Sequence, residues 1–221
     1  MQTDQKTGKT VTQLVEFDAK QWLRRLGIPV PRGILAHAIS PNFKLSFPLA
    51  LKVSDPAILH KTDVGGVMLN IKNHPDLEAK FKMMKEKFPA SEFLVEEMIP
   101  PGIEFIVGII TDPTFGKVIM LGAGGIYTEI YRDVAFRKLP ISPPDAKDML
   151  REIKLGAVCS GFRGIKADCE GLLGLLVSVS SLVTSGKLGV ESMDLNPVVV
   201  TEAGAFVADA KISLKETKTE A

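Results

Sequence analysis

A chain of 221 residues, 45% hydrophobic and 24% charged, has the make-up of an ordinary globular protein and can bury a substantial core as one large domain or two small lobes. With 27 Lys and Arg against 26 Asp and Glu it lacks the basic excess that nucleic-acid binding draws on. The longest apolar candidate, Leu172 to Val183, is interrupted by Gly174 and by serines and falls short of the ~18 residues of a membrane-spanning helix.

Residues 1–12 are polar, lack the apolar segment of a signal peptide and read as a loose tail. Asp18 is placed to cap a short helix from Ala19 to Leu26 that stops at Gly27. Ile28-Pro29-Val30-Pro31 should then run extended, because a residue before proline avoids the helical region. Leu49 to Val53 predicts a strand and Val67 to Ile71 a second, forming a hairpin whose tip carries His60 to Gly66. Leu77, Phe81, Met84 and Phe88 recur at helical spacing and predict a helix over 75–88 opened by Pro75. Phe93 to Glu97 reads as a short strand. Phe105 to Ile110 and Lys117 to Leu121 pair around the turn Asp112-Pro113-Thr114-Phe115-Gly116. Pro143 and Pro144 start a helix to about Leu155, Asp168 or its neighbours start a longer one to about Thr184, and a hairpin of Val198 to Val200 with Phe206 to Ile212 follows. No repeat or linker forces a boundary, and a modest one is expected near residues 90–97. Cys159 and Cys169, the only cysteines, are expected as small buried residues in a reducing compartment.

Two segments carry candidate chemistry. With the turn Glu202-Ala203-Gly204 centred near Ala203, Asn196 should face a position near 210, which makes Asp209 its neighbour. Cross-strand Cβ atoms lie roughly 4.5–5.5 Å apart, so an amide oxygen and a carboxylate can share a hard cation such as Mg²⁺. A turn-flanking Asn and a surface Asp would look the same. Lys52, in an apolar strand, either meets an anion such as phosphate or faces water from an edge. Gly65-Gly66 either lets backbone amides approach phosphate or is a plain turn, and no Walker loop is present. His60 either orients or covalently accepts a phosphate, or is an ordinary loop histidine.

Taken in order, Lys52, His60 to Val67, Val95-Glu96-Glu97-Met98 with Glu104, Gly122 to Tyr127, Asp133 to Arg137, Gly161 to Gly164 and Asp194-Leu195-Asn196-Pro197 resemble the β subunit of ADP-forming acetyl-CoA (acyl-CoA) synthetase. That family is of ATP-grasp type and is similar to the nucleotide-binding part of succinyl-CoA synthetase. The resemblance implies an α/β (α+β) ATP-grasp fold of two small lobes with the nucleotide between them, over residues 13–92 and 93–221. It implies that Lys52, with Lys61, Gly65 and Gly66, holds ATP phosphates, that Glu96, Glu97, Met98 and Ile99 form an adenine-reading hinge, and that Glu104 holds ribose. Asn196 and Asp209 would hold magnesium. His60 would be the transiently phosphorylated histidine, receiving phosphate from a histidine of an α subunit and passing it to ADP. The implied partner is that α subunit, carrying the CoA-binding domains, in a cytoplasmic α2β2 assembly without nucleic acid or membrane. Gly122 to Gly125, with Glu129, Asp133 and Arg137, would form a second loop against the site. The stretch Ala36 to Phe47, containing Pro41, departs from relatives in leaving little room for a helix. An ATP-grasp ligase without phosphohistidine, or a noncatalytic nucleotide-binding subunit, stays as an alternative.

Overall fold

Alternating inward and outward residues build two antiparallel sheets. The computed structural model describes residues 2–3, 10–40, 43–58, 60–125, 133–161, 166–186 and 189–215. In chain order the strands are β1 Gln2–Thr3, β2 Thr10–Leu14, β3 Gly33–Ala36, β4 Leu49–Ser54, β5 Val67–Ile71, β6 Glu92–Glu97, β7 Ile103–Asp112, β8 Gly116–Ala123, β9 Val134–Lys138, β10 Val190–Thr201, β11 Gly204–Val207 and β12 Ala210–Lys215. The smaller sheet runs β3-β6-β4-β5; the larger runs β1-β2-β12-β10-β7-β8-β9, with β11 also paired to β10. The described helices are α1 Glu16–Arg25, α2 His74–Lys87, α3 Pro143–Glu152 and α4 Cys169–Thr184.

Each sheet is covered by the helices whose apolar stripe fits it. Leu77, Phe81 and Met84 of α2 pack on Leu49, Leu51, Val53, Phe93 and Val95, a core in which each buried large side chain contributes ~1.5–3 kcal/mol. Odd-numbered residues of β4 face that core, so Ala50 and Lys52 point the other way, into a cleft. Ala19 and Leu23 of α1, Ala146 and Met149 of α3, and Leu172, Leu176 and Val179 of α4 share the larger core with Phe105, Val107 and Ile109 of β7. The helix ends follow local chemistry. Asn73 and Asp168 accept from Asp76 N and Gly171 N, Ser142 forms a capping box with Asp145, and Gly27 at φ +77° closes α1 while Ile28 N donates to Leu23 O.

Several expectations are revised. Helix α1 begins at Glu16, capped by the backbone of Val15, so Asp18 lies inside the first turn and caps nothing. Part of the expected tail pairs as β1 and β2. Strand β6, expected to open the second lobe, is an inner strand of the smaller sheet, while β2 pairs with β12 and α1 packs in the larger core. Strand pairing therefore divides the chain after residue 97, with the N-terminal segment on the larger side. Helix α3 stops at Glu152 and a 3₁₀ turn, Lys154–Ser160, follows. That turn returns Cys159 to the start of α4, Cα to Cα 5.8 Å from Cys169, and the two form a disulfide instead of free thiols. Both are only partly buried. The described residues of 37–48 contain no helix, and Phe43 and Phe47 pack edge-on against His74; Pro41 lies outside them. No helix among the described residues is long and apolar enough to cross a membrane.

Candidate active site

The two sheets face each other across a cleft of ≈ 830 Å³, within the size range of nucleotide-sized ligand pockets. Its smaller-sheet wall is made by Lys52 of β4, by His60 and Lys61 on the β4–β5 connection, and by Glu96 to Ile99 at the end of β6. Opposite lie Glu104 of β7, Gly125, Asn196 of β10 and Asp209. Gly65 and Gly66 do not line it, contrary to expectation. Gly66 N donates to Lys61 O and its carbonyl accepts from Val53 N, while Gly65 sits at φ +63°, so the pair closes the turn instead of cradling phosphate.

Between the walls lies a buried ionic cluster that the sequence reading missed. Lys52 Nζ lies 2.8 Å from Glu16 Oε1, 2.7 Å from Glu96 Oε1 and 2.8 Å from the Ala208 carbonyl. Lys20 Nζ meets the same groups, and Lys61 pairs with the second oxygen of Glu16. Burial works against the Lys52 charge, but Glu16 and Glu96 outweigh it and hold the ammonium well above the ordinary lysine range. Burial likewise opposes the Glu16 carboxylate, and Lys52, Lys20 and Lys61 together pull it well below its usual range. Lys20 falls below its ordinary value, through burial and then the like charge of Lys52. A sequence signal was available: Glu16, Ala19, Lys20 and Leu23 occupy the i, i+3, i+4, i+7 stripe that a helix turns inward, so two charges sit at buried positions.

The hairpin behind Asp209 is set one residue tighter than expected. Leu195 opposes Ala210 in the β10–β12 pairing and Val198 opposes Val207 in the β10–β11 pairing, so Asn196 comes opposite Asp209 itself. At this point β10 exchanges one partner strand for the other, and its register with β7 shifts between Leu195 and Val198. Asp209 Oδ1 is buried with no hydrogen-bond partner, and burial, then the Glu16 charge, raises this carboxyl above its usual range, partly offset by Lys52 and Lys61. Asn196 Oδ1 accepts from Gly125 N at 3.1 Å. Among the described residues no group of three or more His, Cys, Asp and Glu could hold a metal by itself. An unpartnered carboxylate oxygen beside an amide oxygen suits a hard cation that takes its other ligands from water and phosphate, so the residues fit Mg²⁺.

The remaining candidates divide. His60 is exposed on its loop at the cleft. Glu96 turns its carboxylate into the cluster, Glu97 N and Met98 N donate to Arg32 O and Pro48 O, and this segment thus reaches the cleft with its backbone already tied at two positions. Glu104 is exposed in the cleft, and Gly125 at φ +61° passes so close that a Cβ there would run into the Glu104 carboxylate. Asp133 instead caps the 3₁₀ turn by accepting from Lys154 N and Leu155 N, and Arg137 pairs with Glu152, so neither faces the cleft. Ile126, Tyr127, Glu129 and residues Phe162 to Gly164 lie outside the described residues.

Comparison with known proteins converges on one group. Residues 5–214 match the model of an ATP-grasp domain. The chain is 42% identical to the β subunit of ADP-forming acetate–CoA ligase II of Pyrococcus furiosus, over 92% of each chain. It is 36% identical to ADP-forming acetate–CoA ligase II of Archaeoglobus fulgidus, covering 93% of this chain but 31% of that longer one. Among solved structures it superimposes with a TM-score of 0.82 on acetyl-coenzyme A synthetase 1 of Candidatus Korarchaeum cryptofilum, at 36% identity and over 91% of this chain and 92% of that one. That structure holds coenzyme A and Mg-AMPPCP, with a phosphohistidine segment pointing towards the nucleotide-binding site.

Proposed function

The chain belongs to the ATP-grasp family, among the β subunits of ADP-forming acetyl-CoA ligases, and on that premise we propose how its cleft works. It is the nucleotide-binding subunit of an ADP-forming acyl-CoA ligase, which interconverts acyl-CoA, ADP and phosphate with acid, CoA and ATP. The observation that carries the site assignment is convergence: Lys52, His60 and Lys61 from one sheet and Glu104, Asn196 and Asp209 from the other line a single cleft.

His60 is the phosphoryl carrier. A neutral imidazole nitrogen attacks the phosphorus of a phosphohistidine presented by an α subunit, forming the new N–P bond as the old one breaks. An oxygen of the ADP β-phosphate then attacks the same phosphorus, the His60 N–P bond breaks and the imidazole is restored. Exposure on a loop at the cleft mouth suits a residue that must meet both a partner and a nucleotide. Lys52 and Lys61 offset charge on the transferred oxygens, which is the main protein contribution to such a transfer. Glu104, for whose carboxylate the missing side chain of Gly125 leaves room, receives the ribose, and the Glu97 to Ile99 backbone reads the base. Asn196 and Asp209 hold Mg²⁺, which when bound neutralises phosphate charge and orients the nucleotide oxygens. The Archaeoglobus relative, in which this region is under a third of a longer chain, supports a partner that supplies the rest of the enzyme, here as a separate α subunit in a cytoplasmic α2β2 assembly.

His60→Ala in the α–β complex should abolish acid-labile ³²P labelling of this chain and lower turnover by at least about 10³-fold, while MgADP still binds within a few-fold. Full turnover by that variant would instead favour a ligase without phosphohistidine.

A further inference from the structure

Lys20 has no place in the cleft wall, yet it is the most enclosed ammonium of the cluster. Its Nζ donates to Glu16 Oε1 at 2.7 Å, to both Glu96 oxygens at 2.9 and 2.7 Å, and to the Ala208 carbonyl at 2.6 Å. Lys52 reaches the same three groups, Glu16, Glu96 and Ala208, but it also opens onto the cleft. Two buried carboxylates thus share two lysines, one enclosed and one that also lines the cleft. Lys61 holds the far oxygen of Glu16 and also lines the cleft. If Lys52 and Lys61 are to contact a phosphate, Glu16 and Glu96 must not be left unpaired in a buried site, which is strongly unfavourable.

We propose that Lys20 is a positioning residue for nucleotide recognition: a resident cation that stays hydrogen-bonded to both Glu16 and Glu96 and so lowers the cost of releasing Lys52 and Lys61 from those carboxylates to phosphate. This rests on the nucleotide reading of the cleft and deepens it. The same ammonium holds the carbonyl one residue before Asp209, so Lys20 also ties the cation-binding strand connection to α1. Without Lys20, Glu16 and Glu96 would draw on Lys52 and Lys61 alone within the cluster, and phosphate would have to compete harder for them.

The test is titration of the full chain with MgADP, with circular dichroism and thermal melting as the folding control. Lys20→Met should raise the dissociation constant roughly tenfold or more, and adding Glu16→Gln to it should restore affinity to within about threefold of the parent, because the competing charge has gone. Glu16→Gln alone should bind at least as tightly as the parent. A purely architectural role predicts the opposite: both single variants weaken and the double variant is worst. A folded Lys20→Met with parental affinity, or a double variant weaker than Lys20→Met, overturns the proposal. If Lys20→Met does not fold, Glu16→Gln decides alone, and weakened binding there overturns it. Failure of the unaltered chain to bind either MgADP or MgGDP would count against the nucleotide reading itself, separately from the role of Lys20.

Discussion

Where the smaller sheet faces the cleft, each of the cleft lysines already has a carboxylate in hydrogen-bonding contact; on the facing wall, Asp209 Oδ1 is buried with nothing to accept from. One wall carries ammonium groups that are paired within the protein, and the other carries a buried carboxylate oxygen that no protein donor satisfies. The asymmetry teaches what the cleft is matched to. On the proposed reading, a metal-bound nucleotide would present a cation to Asp209 and Asn196 and anionic oxygens to Lys52 and Lys61, so that one ligand addresses both walls.

The largest effect should come from the wall whose carboxylate oxygen lacks a donor. Asp209→Ala should remove the Mg²⁺ dependence of ADP binding and lower turnover about 100-fold or more, measured by titrations with MgADP and with ADP in EDTA. A variant that keeps the parental Mg²⁺ dependence would break the comparison. On the opposite wall the expected effect is on stability against acid. Glu16 has a folded-state pKa well below its ordinary value of 4.5, so the folded chain binds fewer protons than the unfolded one between those two values. The stability it contributes is present above about pH 4.5 and is lost as pH falls through the depressed value. Chemical denaturation across that range should show a steep acid limb in the parent and a flatter one in Glu16→Gln. The smallest effect belongs to Gly125, on the same wall as Asp209. Gly125→Ala places a side chain at positive φ, a strain of roughly 1–2 kcal/mol, and displaces Glu104. It should raise KM for ADP several-fold with kcat little changed, and an unaltered KM would separate Glu104 from ribose binding.

The strands and helices were largely legible because their signals are local. Leu77, Phe81 and Met84 mark α2 by spacing, and Val67–Ile71 matches its expected bounds. Asp168 was named among the residues starting the long helix and is its N-cap. Most of the site was read through resemblance, since Lys52 or His60 taken alone fits an ordinary strand or loop. What escaped was long-range. Glu16 and Lys20 look like a routine i, i+4 surface pair until a strand 76 residues away brings Glu96 onto them. Those contacts also explain why Asp18 was misread, because the carboxylate that matters in that turn is Glu16, drawn inward by three ammonium groups. The two glycines of the β4–β5 turn erred the other way: their chemistry permitted a phosphate cradle, and hydrogen bonds of Gly65 with Thr62 and of Gly66 with Lys61 and Val53 used them for chain reversal. The disulfide was invisible because nothing in Lys154–Ser160 announces the 3₁₀ turn that brings Cys159 to Cys169.

The change of partner strand along β10 sets where this chain can tolerate insertions. Residues added at the exposed Glu202-Ala203 reversal would lengthen a surface turn and leave the Leu195–Ala210 and Val198–Val207 pairings intact. One residue added between Val207 and Ala210 would move Asp209 out of opposition to Asn196 and pull the Ala208 carbonyl away from both lysines that donate to it. Length variation among related chains should therefore gather at the tip of this hairpin and stop short of its waist.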